Sequence, residues 1–112
     1  MDAGTMDLDS MQTSAARASD MLKLLGHPHR LMVLCQLKMG EKSVSELSEI
    51  VGVAQSPLSQ HLARMRYEDV VETRRDGQTV YYSLKDGEAS KLIGALYEIF
   101  CEVPATEDQA TG

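Results

Sequence analysis

Cysteine is scarce in this chain: Cys35 and Cys101 are the only two among 112 residues. That is too few for a secreted scaffold held by disulfides, and no Cys-x-x-Cys pair suggests a dithiol enzyme. Long hydrophobic runs are absent too, since none approaches the roughly 18–20 apolar residues that span a bilayer. No signal-like apolar stretch follows the acidic start, Met1 to Ser10. The chain is therefore expected to be cytoplasmic, where thiols stay reduced. There is no internal repeat, linker or low-complexity block. A chain of 112 residues suits one domain with one modest core. It leaves little room for a deep substrate cavity, which argues against an enzyme and calls for no cofactor. What is present is ordinary for a globular protein: 43% hydrophobic and 25% charged residues, so wholesale disorder is excluded.

The net charge of −6 taken alone argues against a nucleic-acid partner, but its distribution does not. Residues 1–20 carry −3, residues 86–112 carry −5, and the centre, residues 21–85, carries +2. Acidic flanks around a mildly basic middle suit a DNA binder whose contacting element is central. The same pattern also suits an ordinary solvated surface.

Periodicity then divides the chain. Residues 1–10 and 102–112 lack it and are expected to be flexible tails around a single domain over 11–101. Met11, Ala15, Ala18, Leu22 and Leu25 recur at steps of four and three, an amphipathic helix with a narrow seam that ends at Gly26. Small residues on such a seam fit packing on the chain's own core or against a second copy. Pro28 opens a second helix through Leu31, Leu34, Cys35 and Leu37, stopping at Gly40. Ser43 with Glu46 makes a capping box for a short helix from Val44 to Val51, with Leu47 and Ile50 buried. After Gly52 a further helix begins within Gln55 to Pro57. Its buried stripe is Leu58, Leu62 and Met65, and its outer side carries Ser56, Ser59, Gln60, Ala63 and Arg64.

Two short helices around a tight Gly-containing turn describe a helix-turn-helix. A major groove about 12 Å wide admits one helix whose short polar groups reach base edges. Beyond Asp69 the hydrophobic period changes from 3.6 to 2. Val71 and Thr73, then Val80, Tyr82 and Leu84, flank Asp76-Gly77, a strong hairpin signal. With Asp76-Gly77 at the tip, Arg75 would pair with Gln78 and Arg74 with Thr79. A final helix from Glu88 to Cys101 is expected to bury Ala89, Leu92, Ile93, Leu96 and Phe100. The order α-α-α-α-β-β-α, mainly helical with a β-hairpin wing, is that of a winged helix-turn-helix.

Leu24 to Leu34 (LLGHPHRLMVL), Val44 to Val51 (VSELSEIV), Gln55 to Leu62 (QSPLSQHL) and Val80-Tyr81-Tyr82 together resemble the ArsR/SmtB family of winged-helix repressors. The likeness covers roughly Met21 to Cys101. It implies a homodimer built on the first and last helices that binds an inverted repeat of double-stranded operator DNA and releases it to an inducer. The dimer contact would then use Met11, Ala15, Ala18, Leu22, Leu25, Leu92, Leu96 and Phe100. Two positions depart from the family pattern. Ala54 stands where Ser or Thr often caps the recognition helix, which Ser56 is expected to cap instead. Asp69 stands where Gly is common, and Asp tolerates the left-handed backbone.

Metal sensing is the family's best-known mode, and this chain lacks its ligands. A Cys-x-Cys site would fall on Ser43 and Ser45, and no His follows His61 to complete a site on the last helix. His27 and His29 flank Pro28 and are read as a surface or capping pair. His61 is read as packing or contacting phosphate, so no metal site is expected. Cys35 and Cys101 are, by composition alone, either buried filler or a switch. The resemblance favours a switch, because a cysteine on the second helix and one near the end of the last is similar to the persulfide- and redox-responsive BigR/SqrR branch. That branch implies induction by reactive sulfur species that link the two thiols and derepress sulfide-response genes.

On the DNA side the candidates are Gln55, Ser56, Ser59, Gln60 and His61 for the groove. Arg64, Arg74 and Arg75 are assigned to phosphates, with Gln78 and Thr79 assisting at the wing. The alternatives are a general oxidant sensor, an anti-repressor, a thiol enzyme, and a winged-helix module that has lost DNA binding.

Overall fold

The structure is a computed structural model that describes residues 7–101, with side chains through Phe100. Helix α1 (Leu8–Leu25) starts where the Asp7 carboxylate accepts a hydrogen bond from the Ser10 amide at 2.7 Å. That cap makes Leu8, Asp9 and Ser10, expected to be part of the tail, helical; residues 1–6 of that expected tail lie outside the described residues. The expected tail at 102–112 lies outside the described residues. Only Leu24 and Leu25 of α1 are buried. Met21 packs partly buried against the core, and the exposed remainder is joined to the start of α5 by an Arg17–Glu88 ion pair.

Helix α2 (Pro28–Lys38) is capped by the His27 ring, whose Nδ1 accepts from the His29 amide at 3.1 Å. Pro28 costs nothing in that first turn, where its missing N–H would be unpaired anyway. The Arg30 guanidinium donates back to the carbonyls of Leu24 and Lys23, holding the end of α1 to the start of α2. Strand β1 (Lys42–Ser43) follows, and Ser43 then caps helix α3 (Val44–Val51) in the expected reciprocal box with Glu46. Gly52 leaves α3 at φ +73°, a left-handed conformation that costs a residue with a Cβ about 1–2 kcal/mol.

Helix α4 (Gln55–Tyr67) starts after Ala54, which provides no side-chain cap. Ser56 is already inside the helix and does not cap it as expected. Asp69 takes φ 68°, the left-handed turn anticipated for it. Strands β2 (Val71–Asp76) and β3 (Thr79–Leu84) form the wing, and β1 adds to β3 in a three-stranded antiparallel sheet of order β1-β3-β2. The third strand is only two residues long, too short to register as an alternating pattern.

The hairpin turn lies one residue further along than expected, which moves every cross-strand partner by two. Asp76 pairs with Thr79, Arg75 with Val80 and Arg74 with Tyr81, so the loop is Gly77-Gln78. Gly77 has φ +65°, while Asp69 is the only non-glycine at positive φ among the described residues. One positive φ, carried by glycine at the first central residue, fits a II′ turn, whereas Asp-Gly at both central positions would make a I′ turn.

Helix α5 (Glu88–Leu96) continues as a π-helical turn, Tyr97–Cys101. The core joins Leu24, Leu25, Val33, Leu34, Leu37, Leu47, Leu58, Leu62, Met65, Val70, Val71 and Ile93. Ala89 and Ile93 are buried as expected, Leu92 and Leu96 are half-buried, and Phe100 is 75% exposed. Ile50 is 49% exposed, and Val51 takes the buried place assigned to it. With helix packed on helix and a hairpin projecting beside α4, this is a winged helix-turn-helix.

Candidate nucleic-acid interface and thiol site

Burial of Leu58, Leu62 and Met65 at helical spacing fixes α4 on the core and turns its other side out. Gln55, Ser56, Ser59, Gln60 and Arg64 are all exposed there, in accord with the face read from sequence. Two are partly engaged: Gln55 donates to the Ser45 hydroxyl at 3.3 Å, and Arg64 lies 3.7 Å from Glu68. At the wing Arg75, Gln78 and Thr79 are exposed. Arg75 forms no ion pair with any described residue.

Arg74 is different. Its guanidinium grips Glu41 with two nitrogens, one of them Nε at 3.1 Å, and lies 4.9 Å from the centre of the cross-strand Tyr81 ring. The bond to Arg74 holds the Glu41 carboxyl below the usual carboxylate range. The two adjacent arginines read as equivalent in sequence therefore differ: one is clamped and one is open. Nothing in the sequence links Glu41 to Arg74, 33 positions apart.

His61 is not on the outer face. It is half-buried, and its ring sits 4.5 Å from that of His27 and 5.8 Å from that of His29. Burial, then the neighbouring His27, Arg30 and His29, lowers its pKa from the ordinary histidine value. His27 and His29 are thus not merely a local capping pair, because the fold sets the start of α2 against the middle of α4.

Cys35 is half-buried on α2 and lines an apolar cavity of about 320 Å³ with Leu31, Met32, Met39, Ile50, Val51 and Tyr97. This explains the exposure of Ile50: it forms a wall of the cavity. Tyr97 begins the π-helical turn that ends at Cys101. The side chain of Cys101 lies outside the described atoms.

Among the residues assigned to the dimer contact, Met11 is 51% and Leu22 58% exposed, and Ala15 and Ala18 are exposed. Leu25 is only 2% exposed and belongs to the protomer's own core, so it cannot serve a partner. Its place at the last turn of α1, where the helix meets α2, puts it on the inner side.

Residues 27–73 match the profile of bacterial regulatory proteins of the arsR family. The biofilm growth-associated repressor of Xylella fastidiosa is 43% identical over 105 residues, 94% of this chain and 90% of that protein. The chain belongs to the arsR family. This arsR protein is also 40% identical over 97 residues to the transcriptional activator HlyU of Vibrio cholerae, covering 87% of this chain and 90% of that one. Among solved structures, the repressor BigR from Xylella fastidiosa superposes with a TM-score of 0.81 at 42% identity, covering 88% of this chain and all of the other. Reduced HlyU from Vibrio cholerae gives 0.81 at 40% identity, over 85% of this chain. As an arsR-family member the chain is a DNA-binding transcription regulator and not an enzyme. Among the described residues no helix is long and apolar enough to cross a membrane.

Proposed function

We propose that the protein is a homodimeric, cytoplasmic repressor that binds an inverted-repeat operator and releases it when Cys35 and Cys101 become linked by reactive sulfur. The observation that carries the sensing half is the position of Cys35. It lines an apolar cavity that is also lined by Tyr97, one turn before Cys101. In support of the DNA half, α4 offers exposed Gln, Ser and Arg side chains, with the small Ala63 among them, beside a wing with an open Arg75. Gln55, Ser56, Ser59 and Gln60 would read the groove, with Arg64, Arg75, Gln78 and Thr79 on the backbone. Arg74 joins them when Glu41 lets it go. His61 faces the other histidines, which supports packing over base contact. Exposed Leu8, Met11 and Leu22 on α1 and Ile99 and Phe100 beyond α5 support dimerisation through the first and last helices.

The sulfur chemistry balances without a further oxidant. A cysteine thiolate attacks the outer sulfur of a persulfide, giving a protein persulfide and releasing the donor thiolate. The second thiolate then displaces hydrosulfide to leave a disulfide. If both cysteines are persulfidated, one displaces hydrosulfide from the other and a trisulfide remains. A plain disulfide needs Cα atoms within about 7 Å, and an inserted sulfur adds a bond of roughly 2 Å. A resting separation just beyond disulfide reach would favour persulfide donors over peroxide. Linkage of α2 to the end of α5 would shift the dimer so that two α4 helices no longer match grooves about 34 Å apart.

The test is a titration of fluorescent operator DNA with and without glutathione persulfide, peroxide and sulfide. Cys35→Ser and Cys101→Ser should bind DNA normally and ignore persulfide, and mass spectrometry should find a Cys35–Cys101 link retaining sulfur. Induction retained in either variant would remove the switch. A plain disulfide formed as fast by peroxide would replace it with a general oxidant sensor.

A further inference from the structure

We propose that His27, His29 and His61 form a binding site for one divalent transition-metal ion of borderline softness, with Zn2+ the representative. The three side chains come from the first turn of α2 and the middle of α4, and one ligand atom from each lies within 4.8 Å of the others. Their ring centroids are 5.2, 4.5 and 5.8 Å apart and their planes are tilted by 56°, 54° and 75°. Three imidazoles on a tetrahedral ion, with bonds of about 2.0–2.1 Å, would place their ring centres about 5 Å apart. The observed spacing brackets that value. Coordination then asks the nitrogens to close from at most 4.8 Å to about 3.4 Å, a movement within reach of side-chain rotation.

The chemistry of the donors selects the ion. Three neutral nitrogens and no carboxylate suit Zn2+, Ni2+, Co2+ or Cu2+, while Ca2+ and Mg2+ need oxygen. All three rings are half-buried, so the ion would be partly shielded and would complete its shell with water. Each ring ligates as the neutral imidazole, through one nitrogen. Nearby Arg30 opposes a cation, but its guanidinium is directed at the Leu24 and Lys23 carbonyls at the end of α1.

His27 carries an internal competition. Its Nδ1 accepts the His29 amide hydrogen, so the proton of the neutral ring is on Nε2. Binding through Nε2 moves that proton to Nδ1 at the expense of the cap, and binding through Nδ1 replaces the cap directly. This site is separate from the family clusters excluded above, which would need ligands at Ser43 and Ser45 or on the last helix. A loaded ion would fasten α4, which presents the polar face, to the start of α2.

The test uses the full-length, metal-free protein. Co2+ titration should develop the visible d–d absorption of a tetrahedral nitrogen-ligated site, saturating at one ion per chain and displaced by Zn2+. His27→Asn keeps a capping oxygen, so it separates lost ligation from a lost helix start; His29→Gln and His61→Gln complete the set. Losing even an outer-shell partner of a metal site costs about 10–100-fold in affinity, so each variant should lose at least that. The Cys35→Ser, Cys101→Ser double variant should bind as the parent does. No binding by the parent at micromolar metal would overturn the site. So would affinity unchanged in all three histidine variants, or lost in the cysteine variant.

Discussion

Arg75→Ala is expected to flatten the salt dependence of operator binding much more than Arg74→Ala, although the two residues are neighbours of the same type. Arg75 is exposed and makes no ion pair among the described residues, whereas Arg74 is held by Glu41 and stacked on Tyr81. A phosphate contact contributes about 0.9 to the slope of log K against log salt. Loss of one contact from each subunit of a dimer therefore lowers the slope by about 1.8. Over a roughly fourfold rise in salt, the parent loses about 12-fold more affinity than the variant. For Arg74 the phosphate must first displace a carboxylate that already neutralises the guanidinium, so the contact releases less counterion and Arg74→Ala should change the slope by a fraction of that amount. Glu41→Gln reverses the argument: with the clamp removed, Arg74 becomes a second open cation and the slope should steepen by up to about 1.8. Fluorescence anisotropy on a labelled operator over a range of KCl concentrations measures all three. A parental slope in Arg75→Ala, or a slope in Glu41→Gln no steeper than the parent's, would refute this account of the wing.

Other perturbations test other parts. Gly52→Ala should lower Tm by about 5–10 °C, from a left-handed penalty of about 1–2 kcal/mol, since a Cβ there meets nothing within 4 Å; an unchanged Tm in a thermal melt would show that the turn relaxes. The folded-state pKa of His61 is depressed by burial and then by neighbouring His27, Arg30 and His29, so its contribution to stability is complete above the ordinary histidine value and is lost as pH falls below it. Urea midpoints should accordingly be lower at pH about 5.5 than at about 7.5, and His61→Gln should shrink the difference. Leu22→Glu places a charge on an exposed apolar row of α1 and should shift sedimentation from dimer to monomer while leaving the far-UV spectrum intact. Gln60→Ala should alter sequence preference among operator variants without altering the salt slope.

The sequence was legible wherever local chemistry and global packing agreed. The capping box at Ser43 and Glu46, the glycine after Val51 and the change of period beyond Asp69 each placed an element. What escaped was non-local. The one-residue shift of the hairpin turn, and with it the two-residue change of cross-strand partners, depends on which turn class the sheet twist favours, and Asp76-Gly77 is compatible with more than one. Ile50 and Val51 are adjacent on a short helix, and only the neighbouring α2 decides which is covered. The inequality of Arg74 and Arg75 needed β1, a strand too short to show a pattern, to bring Glu41 beside the wing. His61 joined His27 and His29 only because the fold packs α4 on the start of α2.

That packing makes α2 the element on which both proposed inputs converge. Its first turn carries His27 and His29 against α4, and Cys35 lies less than two turns further on, facing the cavity shared with Tyr97. An 11-residue helix is about 16 Å long and moves as one piece. Fastening its beginning to α4 and drawing its middle towards the end of α5 are therefore not independent acts. Linkage requires the coupling to be reciprocal: if bound Zn2+ alters how readily the thiols are joined, joining the thiols must alter zinc affinity by the same factor. Zinc affinity measured on reduced and on persulfide-linked protein tests this directly. Couplings between protein sites are typically about 5–150-fold, and equal affinities in the two forms would mean that α2 transmits nothing between its first turn and Cys35.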